Sequence, residues 1–332
     1  MILAGDLGGT KTVLAVLDRA LTPVHERAFP CAAYPSLTAI VDAFLAELPA
    51  EPRAAIAAAC LGVAGPVTGA TARITNLPWT IDAAALSAQL GGAPCTLIND
   101  LQATALGALA LPASAFAVVQ AGAPPAGQPT IAVIAPGTGL GEALLVADGG
   151  RYRALPSEAG HADFAATTDE EYALLAFLRG RHGDHVSYER VLSGAGIGEL
   201  YDFARARSGA DEPAWLTAEL AAGDRAAAIT RAALADRDPA CARALALFVD
   251  VLGGEAGNAA LRGLATGGVV IGGGIPPKIL PALTGPRLIA RLTAKGRFSA
   301  WMRALPVRVT LEPRAALLGA AHHALTHQDV HP

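Results

Sequence analysis

Apolar residues run through Ile2-Leu3-Ala4, pause at Gly5-Asp6-Leu7-Gly8-Gly9-Thr10, and resume at Thr12-Val13-Leu14-Ala15-Val16. That alternation predicts a strand, a tight turn and a second, antiparallel strand over 12–17. Residues 36–48 carry the apolar spacing of an amphipathic helix, and 54–63 read as a buried strand or helix segment. A short apolar run at 95–98 ends at Asn99-Asp100, and a helical pattern follows from 102 to 110. Gly, Pro and Ala crowd 122–129, which reads as a linker or surface loop. A new apolar strand over 130–135 then runs into Pro136-Gly137-Thr138-Gly139-Leu140-Gly141. This second strand and Gly-rich turn echo the first and predict two related halves. Residues 170–182, 196–207, 217–235 and 238–265 are helical in pattern. A third glycine turn, Gly272-Gly273-Gly274-Ile275, follows the apolar run 268–271, and a last helix spans 315–325 after Pro313.

At 332 residues the chain is long enough for two domains, each with its own core. A 52% hydrophobic and 16% charged composition suits a packed globular protein and argues against disorder. Gly, Pro or charge interrupts every apolar run before the roughly 18 residues of a membrane span, and no signal peptide is visible. A net charge of −4 without a basic block argues against a nucleic-acid partner. Cys31, Cys60, Cys95 and Cys241 lack zinc spacing, so reduced thiols in a cytoplasmic protein are expected.

In the first turn, Gly8 and Gly9 allow main-chain N–H groups to approach a ligand closely, and Thr10 adds a hydroxyl donor. Asp6 stands where a carboxylate can hold Mg²⁺, directly or through water. The competing reading is an ordinary hairpin. Three such turns, each after a buried strand, favour a nucleotide site assembled from separate loops. Asp100, at a strand end, is a candidate base for a substrate hydroxyl, with Asn99 orienting a neighbouring one. The alternative is an Asx cap on the helix that follows. Glu158-Ala159-Gly160-His161 can bind sugar hydroxyls or act as acid and base, and Glu189 adds a further acid. No cysteine cluster or further His supports a metal at that pair. His182 and His185 read as a solvated loop, and His322, His323 and His327 as exposed. Trp79 reads as either a cleft-lining or a packed loop aromatic.

Together these motifs resemble the sugar-kinase branch of the actin, hexokinase and heat-shock-protein ATPase superfold, and more narrowly the bacterial glucokinases of hexokinase-like type. The resemblance runs from Gly5-Asp6-Leu7-Gly8-Gly9-Thr10 to Leu317-Leu318-Gly319-Ala320-Ala321-His322. Between them lie, in order, Thr75-Asn76-Leu77-Pro78-Trp79, Ile98-Asn99-Asp100, Gly137-Thr138-Gly139-Leu140-Gly141, Glu158-Ala159-Gly160-His161, Glu189-Arg190-Val191-Leu192-Ser193-Gly194 and Gly272-Gly273-Gly274-Ile275. It implies an α/β fold of two ribonuclease-H-like domains flanking a deep cleft. The small domain would be 1–110 completed by 302–332, and the large domain 111–301. It implies ATP-dependent phosphorylation of the glucose 6-hydroxyl with Mg²⁺, in a cytoplasmic homodimer whose partners are a small sugar and a nucleotide.

On matching positions Asp100 becomes the general base, and Asn99, Glu158, His161 and Glu189 hold the other hydroxyls. Gly5 to Thr10 and Gly137-Thr138 become phosphate loops, with Gly273-Gly274 near the adenosine. Lys11 stands where these glucokinases usually carry Asn; Asp-x-Gly-Gly-Thr-Lys is common in the repressor/open-reading-frame/kinase group, which also phosphorylates fructose and N-acetylated sugars. Most of that group follows its Gly-His with a cysteine-rich zinc motif, whereas Gly160-His161 is followed by Ala162-Asp163-Phe164. Alternatives are a kinase for mannose, fructose or an N-acetylated hexosamine, and a non-catalytic sugar-sensing protein; the early first turn and acidic charge count against a DNA-binding regulator.

Overall fold

The computed structural model describes residues 1–74, 77–124 and 126–328, so Thr75-Asn76 of the Trp79 motif lie outside the described residues. Two compact units divide the chain. The first comprises Met1–Ala115, Arg151–Pro156 and Glu312–Pro332, and the second Phe116–Gly150 and Ser157–Leu311. Each encloses its own hydrophobic core.

The first unit begins with the expected hairpin of β1 (Ile2–Leu7) and β2 (Lys11–Leu17), extended by β3 (Pro23–Pro30). Ser36 caps α1 (Leu37–Glu47) by accepting the Ala39 N–H, and the short α2 (Ala50–Ala54) follows. The ambiguous run 54–63 resolves into β4 (Ala58–Val63), every residue of which is buried. A continuous apolar run is what a parallel strand covered on both faces requires. A small ribbon of β5 (Val67–Thr68), β6 (Thr71–Arg73) and β7 (Thr80–Asp82) leads to α3 (Ala83–Gln89). Trp79 is buried in the first core, so of its two readings the packed aromatic holds. Next come β8 (Cys95–Asn99) and α4 (Asp100–Ala110). The sheet order is β3-β2-β1-β4-β8, with β1, β4 and β8 parallel.

The second unit opens with β9 (Phe116–Gln120), then the predicted hairpin of β10 (Ile131–Pro136) and β11 (Leu140–Asp148). β12 (Arg151–Ser157) carries the chain through the segment assigned to the first unit and back. Helices α5 (Asp169–His182), α6 (Gly194–Ser208), α7 (Ala214–Ala221), α8 (Arg225–Leu234) and α9 (Pro239–Arg262) follow. The single helical stretch expected over 217–235 is two helices, because Asp224 ends one segment and caps α8 through the Ala227 N–H. Helix α9 is long and apolar enough to cross a membrane by length and composition, but most of it is buried in the second core. Its buried residues pack the second core. Strand β13 (Val269–Ile271), short helices α10 (Leu280–Leu283), α11 (Pro286–Thr293) and α12 (Ser299–Ala304), and β14 (Val307–Thr310) complete the unit. Residues 302–311 thus belong with the second unit.

The sheet of the second unit contains β11-β10-β13-β14-β9 in that order. Its first four strands repeat β2-β1-β4-β8 of the first sheet: an antiparallel hairpin, then two parallel neighbours. The echo between the two Gly-rich turns is therefore a repeat of topology.

The last helix, α13 (Ala315–Gln328), returns to the first unit and packs along α4. The contact is backbone to backbone. A Cβ on Gly319 would overlap the Ala103 carbonyl oxygen and lie 2.5 Å from the Gly107 nitrogen; one on Gly107 would overlap the Ala315 carbonyl. His322 and His323 are half-buried on this helix rather than exposed, and desolvation lowers the His322 pKa. His182 also departs from the solvated-loop reading, ending α5 with Nε2 3.0 Å from Glu199.

Candidate active site

In the first sheet the register places Leu7, Val63 and Asn99 in one row across the C-terminal ends of the three parallel strands. This is the edge at which α/β sheets hold ligands. Asp6, the Gly8-Gly9-Thr10 turn and Asn99-Asp100 all gather there. Gly62 lets the strands approach α4 closely, since a Cβ on it would stand 2.9 Å from the Ala103 Cβ and 3.7 Å from the Asp100 Cα. Gly5 and Leu7 are within β1, not in the turn. Leu7 is a core residue, and Gly5 is fitted between Leu7, Leu14 and Leu61.

Asn99 is the N-cap of α4. Its Oδ1 accepts the Leu101 N–H at 2.9 Å, its Nδ2 donates to the Gly65 carbonyl at 3.3 Å, and its backbone N–H donates to Gln102 Oε1. The cap anticipated from sequence therefore exists, as a reciprocal capping box, and starts the helix at Asp100 rather than near 102. Asp100 stands half-buried in the first turn, with Oδ1 accepting the Leu101 N–H at 2.8 Å. A carboxylate there is stabilised by the helix dipole. Burial raises the pKa of Asp6, and the nearby Lys11 ammonium opposes that rise. A partly desolvated carboxylate of this kind gains from an added cation.

In the second unit, β10 and β13 run side by side, with β13 ending at Ile271 opposite Ile134 and β10 continuing to Pro136. Gly137-Thr138 and Gly272-Gly273-Gly274 extend beyond those ends. Pro136, the last residue of β10, accepts the Ile275 N–H, and Gly273 holds φ +86° against it where a Cβ would overlap the Pro136 carbonyl. A cavity of about 410 Å³ opens here, lined by Gly137, Thr138, Gly274 and the first turns of α6 and α8. Two of the predicted nucleotide turns thus meet at one cavity. The helix starts were not foreseen as part of it, although Ser193-Gly194-Ala195-Gly196 carries a cap and two glycines that mark one. A larger, open cavity of about 870 Å³ in the first unit has Arg53 as its one charged lining residue and contains no predicted site residue.

Glu158, His161 and Glu189 come together around Leu140. Glu189, half-buried on the turn Tyr188–Arg190, accepts the Leu140 N–H through Oε2 at 2.9 Å. Gly139 leaves room for it, because a Cβ there would overlap that carboxylate oxygen and displace the Glu189 side chain from its present position. Gly160 packs against the Leu140 carbonyl with no room for a side chain, and so seats the turn carrying Glu158 and His161. Those two side chains are exposed, 3.9 Å apart at His161 Nε2 and Glu158 Oε2. Among the described residues no group of three His, Cys, Asp or Glu is placed to hold a metal ion.

Behind Glu189 lies a polar group that the sequence reading missed. Glu142 on β11 and the fully buried Glu255 on α9 share the Nη2 of Arg262. Burial first, then the neighbouring Glu255, pushes the Glu142 carboxyl up to about 8, against the pull of Arg262. A folded-state pKa raised above the unfolded value means the folded chain binds the proton more tightly. The associated stability is present at low pH and is lost as pH rises through the raised value. Melting temperature is therefore expected to fall between pH 5.5 and 8.5, and Glu142→Gln to remove about 2–4 °C of that fall. Equal slopes in the two proteins, measured by scanning calorimetry, would refute the assignment.

A family model described as Glucokinase matches residues 3–327. A glucokinase of Trichormus variabilis is 38% identical over 339 aligned residues, which cover 97% of this chain and 98% of that one. The crystal structure of a glucokinase from an Antarctic psychrotroph superposes with a TM-score of 0.84 at 34% identity, covering 98% of each chain. A ROK family glucokinase from Streptomyces griseus, solved with glucose and AMPPNP, has a TM-score of 0.65 at 20% identity over 98% of this chain and 99% of that one, a likeness of fold.

Proposed function

Because the chain belongs to the glucokinase family, with its two-domain actin-like ATPase fold, we propose that it transfers the γ-phosphoryl group of ATP to the 6-hydroxyl of D-glucose. The observation that carries this reading is the gathering of Asp6, the Gly8-Gly9-Thr10 turn and Asp100 at one edge of the first sheet. Phosphoryl transfer requires little covalent chemistry from the protein. It needs an oriented nucleophile, neutralised phosphates and exclusion of water.

On this reading Asp100 accepts the proton of the attacking hydroxyl, held in place by the Asn99 cap. Asn99, Glu158, His161 and Glu189 hold the remaining hydroxyls. Gly9, Thr10 and Thr138 direct N–H and hydroxyl groups at the phosphates, Gly8 and Gly137 shape those turns by donating their own N–H groups to the Lys11 and Gly139 carbonyls, and Gly273-Gly274 border the adenosine. Asp6 is the residue that would hold Mg²⁺, directly or through water. An ion held there would neutralise charge on the phosphates. The resemblance also leads us to propose a cytoplasmic homodimer, which sedimentation of the purified protein tests for assembly.

Hydroxyl-directed hydrogen bonds reject an inverted or missing hydroxyl more strongly than an apolar pocket rejects a misfit. Release of ADP, followed by a coupled assay with ATP and Mg²⁺ over a hexose panel, is expected to show turnover with glucose well above mannose, fructose and N-acetylglucosamine. Preference for another hexose would keep the mechanism and replace the substrate. Absence of transfer to any hexose would overturn the reading.

A further inference from the structure

Glu189 is carried on one short turn and accepts its backbone hydrogen bond from a residue of another element. Both attachments lead to the same place on α9. Tyr188, the residue before Glu189, is buried, with its ring edge-on to Phe164 at 5.8 Å. Its hydroxyl accepts a hydrogen bond from Asn258 Nδ2 at 3.1 Å and interacts with Glu255. Asn258 is itself fixed at both ends of its amide: Nδ2 donates to Glu255 Oε2 at 2.9 Å, and Oδ1 accepts from Lys295 Nζ at 2.6 Å. Leu140, which supplies the N–H to Glu189, is two residues from Glu142 on β11, and Glu142 is tied to Glu255 through Arg262.

Buried ion pairs and amides are costly to desolvate, and apolar side chains would fill the same space at less cost. Where its members are paired, however, such a network fixes geometry more narrowly than packing does. Here the links among Tyr188, Asn258, Lys295, Glu255 and Arg262 are made, while the buried Glu142 Oε1 has no hydrogen-bond partner among the described residues. The two ends of the network are the turn bearing Glu189 and the strand bearing Glu189's hydrogen-bond donor.

We propose that Tyr188 and Asn258 are positioning residues for the Glu189 carboxylate, acting through the Tyr188 hydroxyl to hold that carboxylate in the orientation that binds sugar. The inference rests on the reading of Glu189 as a sugar ligand. Neither residue touches the reacting groups, so their loss weakens sugar binding more than it slows the chemical step.

The test is a set of full kinetic profiles and melting curves for Tyr188→Phe, Asn258→Ala and Glu189→Gln. Tyr188→Phe removes one oxygen and keeps the ring, so the fold is retained. For Tyr188→Phe and Asn258→Ala, KM for glucose is expected to rise about three- to tenfold, while kcat and KM for ATP stay within about twofold, a split expected when orientation of one ligand is lost. A glucose KM unchanged in Tyr188→Phe would overturn the inference. So would a parallel decline in all three constants that follows the melting temperature, since that is the mark of a general structural role. The third variant separates the two claims. If Glu189→Gln leaves the glucose KM unaltered, the reading of Glu189 fails; if it raises it while the other two variants do not, only the positioning role fails.

Discussion

Asp100→Asn is expected to lower kcat by about 10²–10⁴-fold, the range that a lost general base removes. The substitution is nearly isosteric, and an amide at the first helical position can still accept the Leu101 N–H that Asp100 Oδ1 now accepts at 2.8 Å. The Asn99 capping box is untouched, so α4 begins where it did. Loss of a negative charge at the helix start costs about 0.3–1 kcal/mol, too little to unfold the unit. Glucose affinity, measured by calorimetry, should change far less than turnover, because an amide still hydrogen-bonds the hydroxyl while it cannot take the proton. Turnover within a few-fold of the parent would remove Asp100 from the proton-transfer step.

Gly319→Val is the second large effect, and its sign runs against helix propensity. At an exposed mid-helix position, replacing Gly by a side-chain-bearing residue gains about 0.5–1 kcal/mol when that residue is Ala. Gly180 in α5 is such a position, with nothing near its missing Cβ, and Gly180→Ala should raise the melting temperature slightly. On α13 the new Cβ would meet the Ala103 carbonyl and the Gly107 nitrogen, and backbone has no rotamer with which to move aside. Parting α4 from α13 costs about 3 kcal/mol or more, a large share of a typical 5–15 kcal/mol total. A fall of at least about 5 °C in melting temperature is expected, together with a loss of activity through α4, the helix that presents Asp100. An unchanged melting temperature would mean that the helix pair yields more easily than its geometry implies.

Much of the fold was visible in the chain because strand, Gly-rich turn and strand recur in one pattern, and because 95–98 stops at a polar pair. The motifs around Asp100, Gly137 and Gly273 were found for the same reason. What escaped was set by distant contacts. Edge strands such as β3 (Pro23–Pro30), with its largely exposed pattern, carry little periodicity of their own and form because a neighbour offers hydrogen bonds. Asn99 was read as either a cap or a ligand because an Asx residue before a helix looks the same in both cases. The network behind Glu189 did leave a trace: Glu142 stands in the apolar run Leu140–Leu145, and Glu255 in the long apolar α9. A lone acid in an apolar stretch signals a buried partner, but nothing in the sequence says which partner it is.

The hydrogen bond from Leu140 to Glu189 also bears on how a ligand is received. A free glutamate side chain samples many rotamers, and freezing one on binding costs about 1–2 kcal/mol of entropy. Here the backbone amide and the space left by Gly139 have already narrowed that choice during folding. The carboxylate waits in one orientation, so ligand contacts made there are not offset by the disorder they would otherwise have to remove.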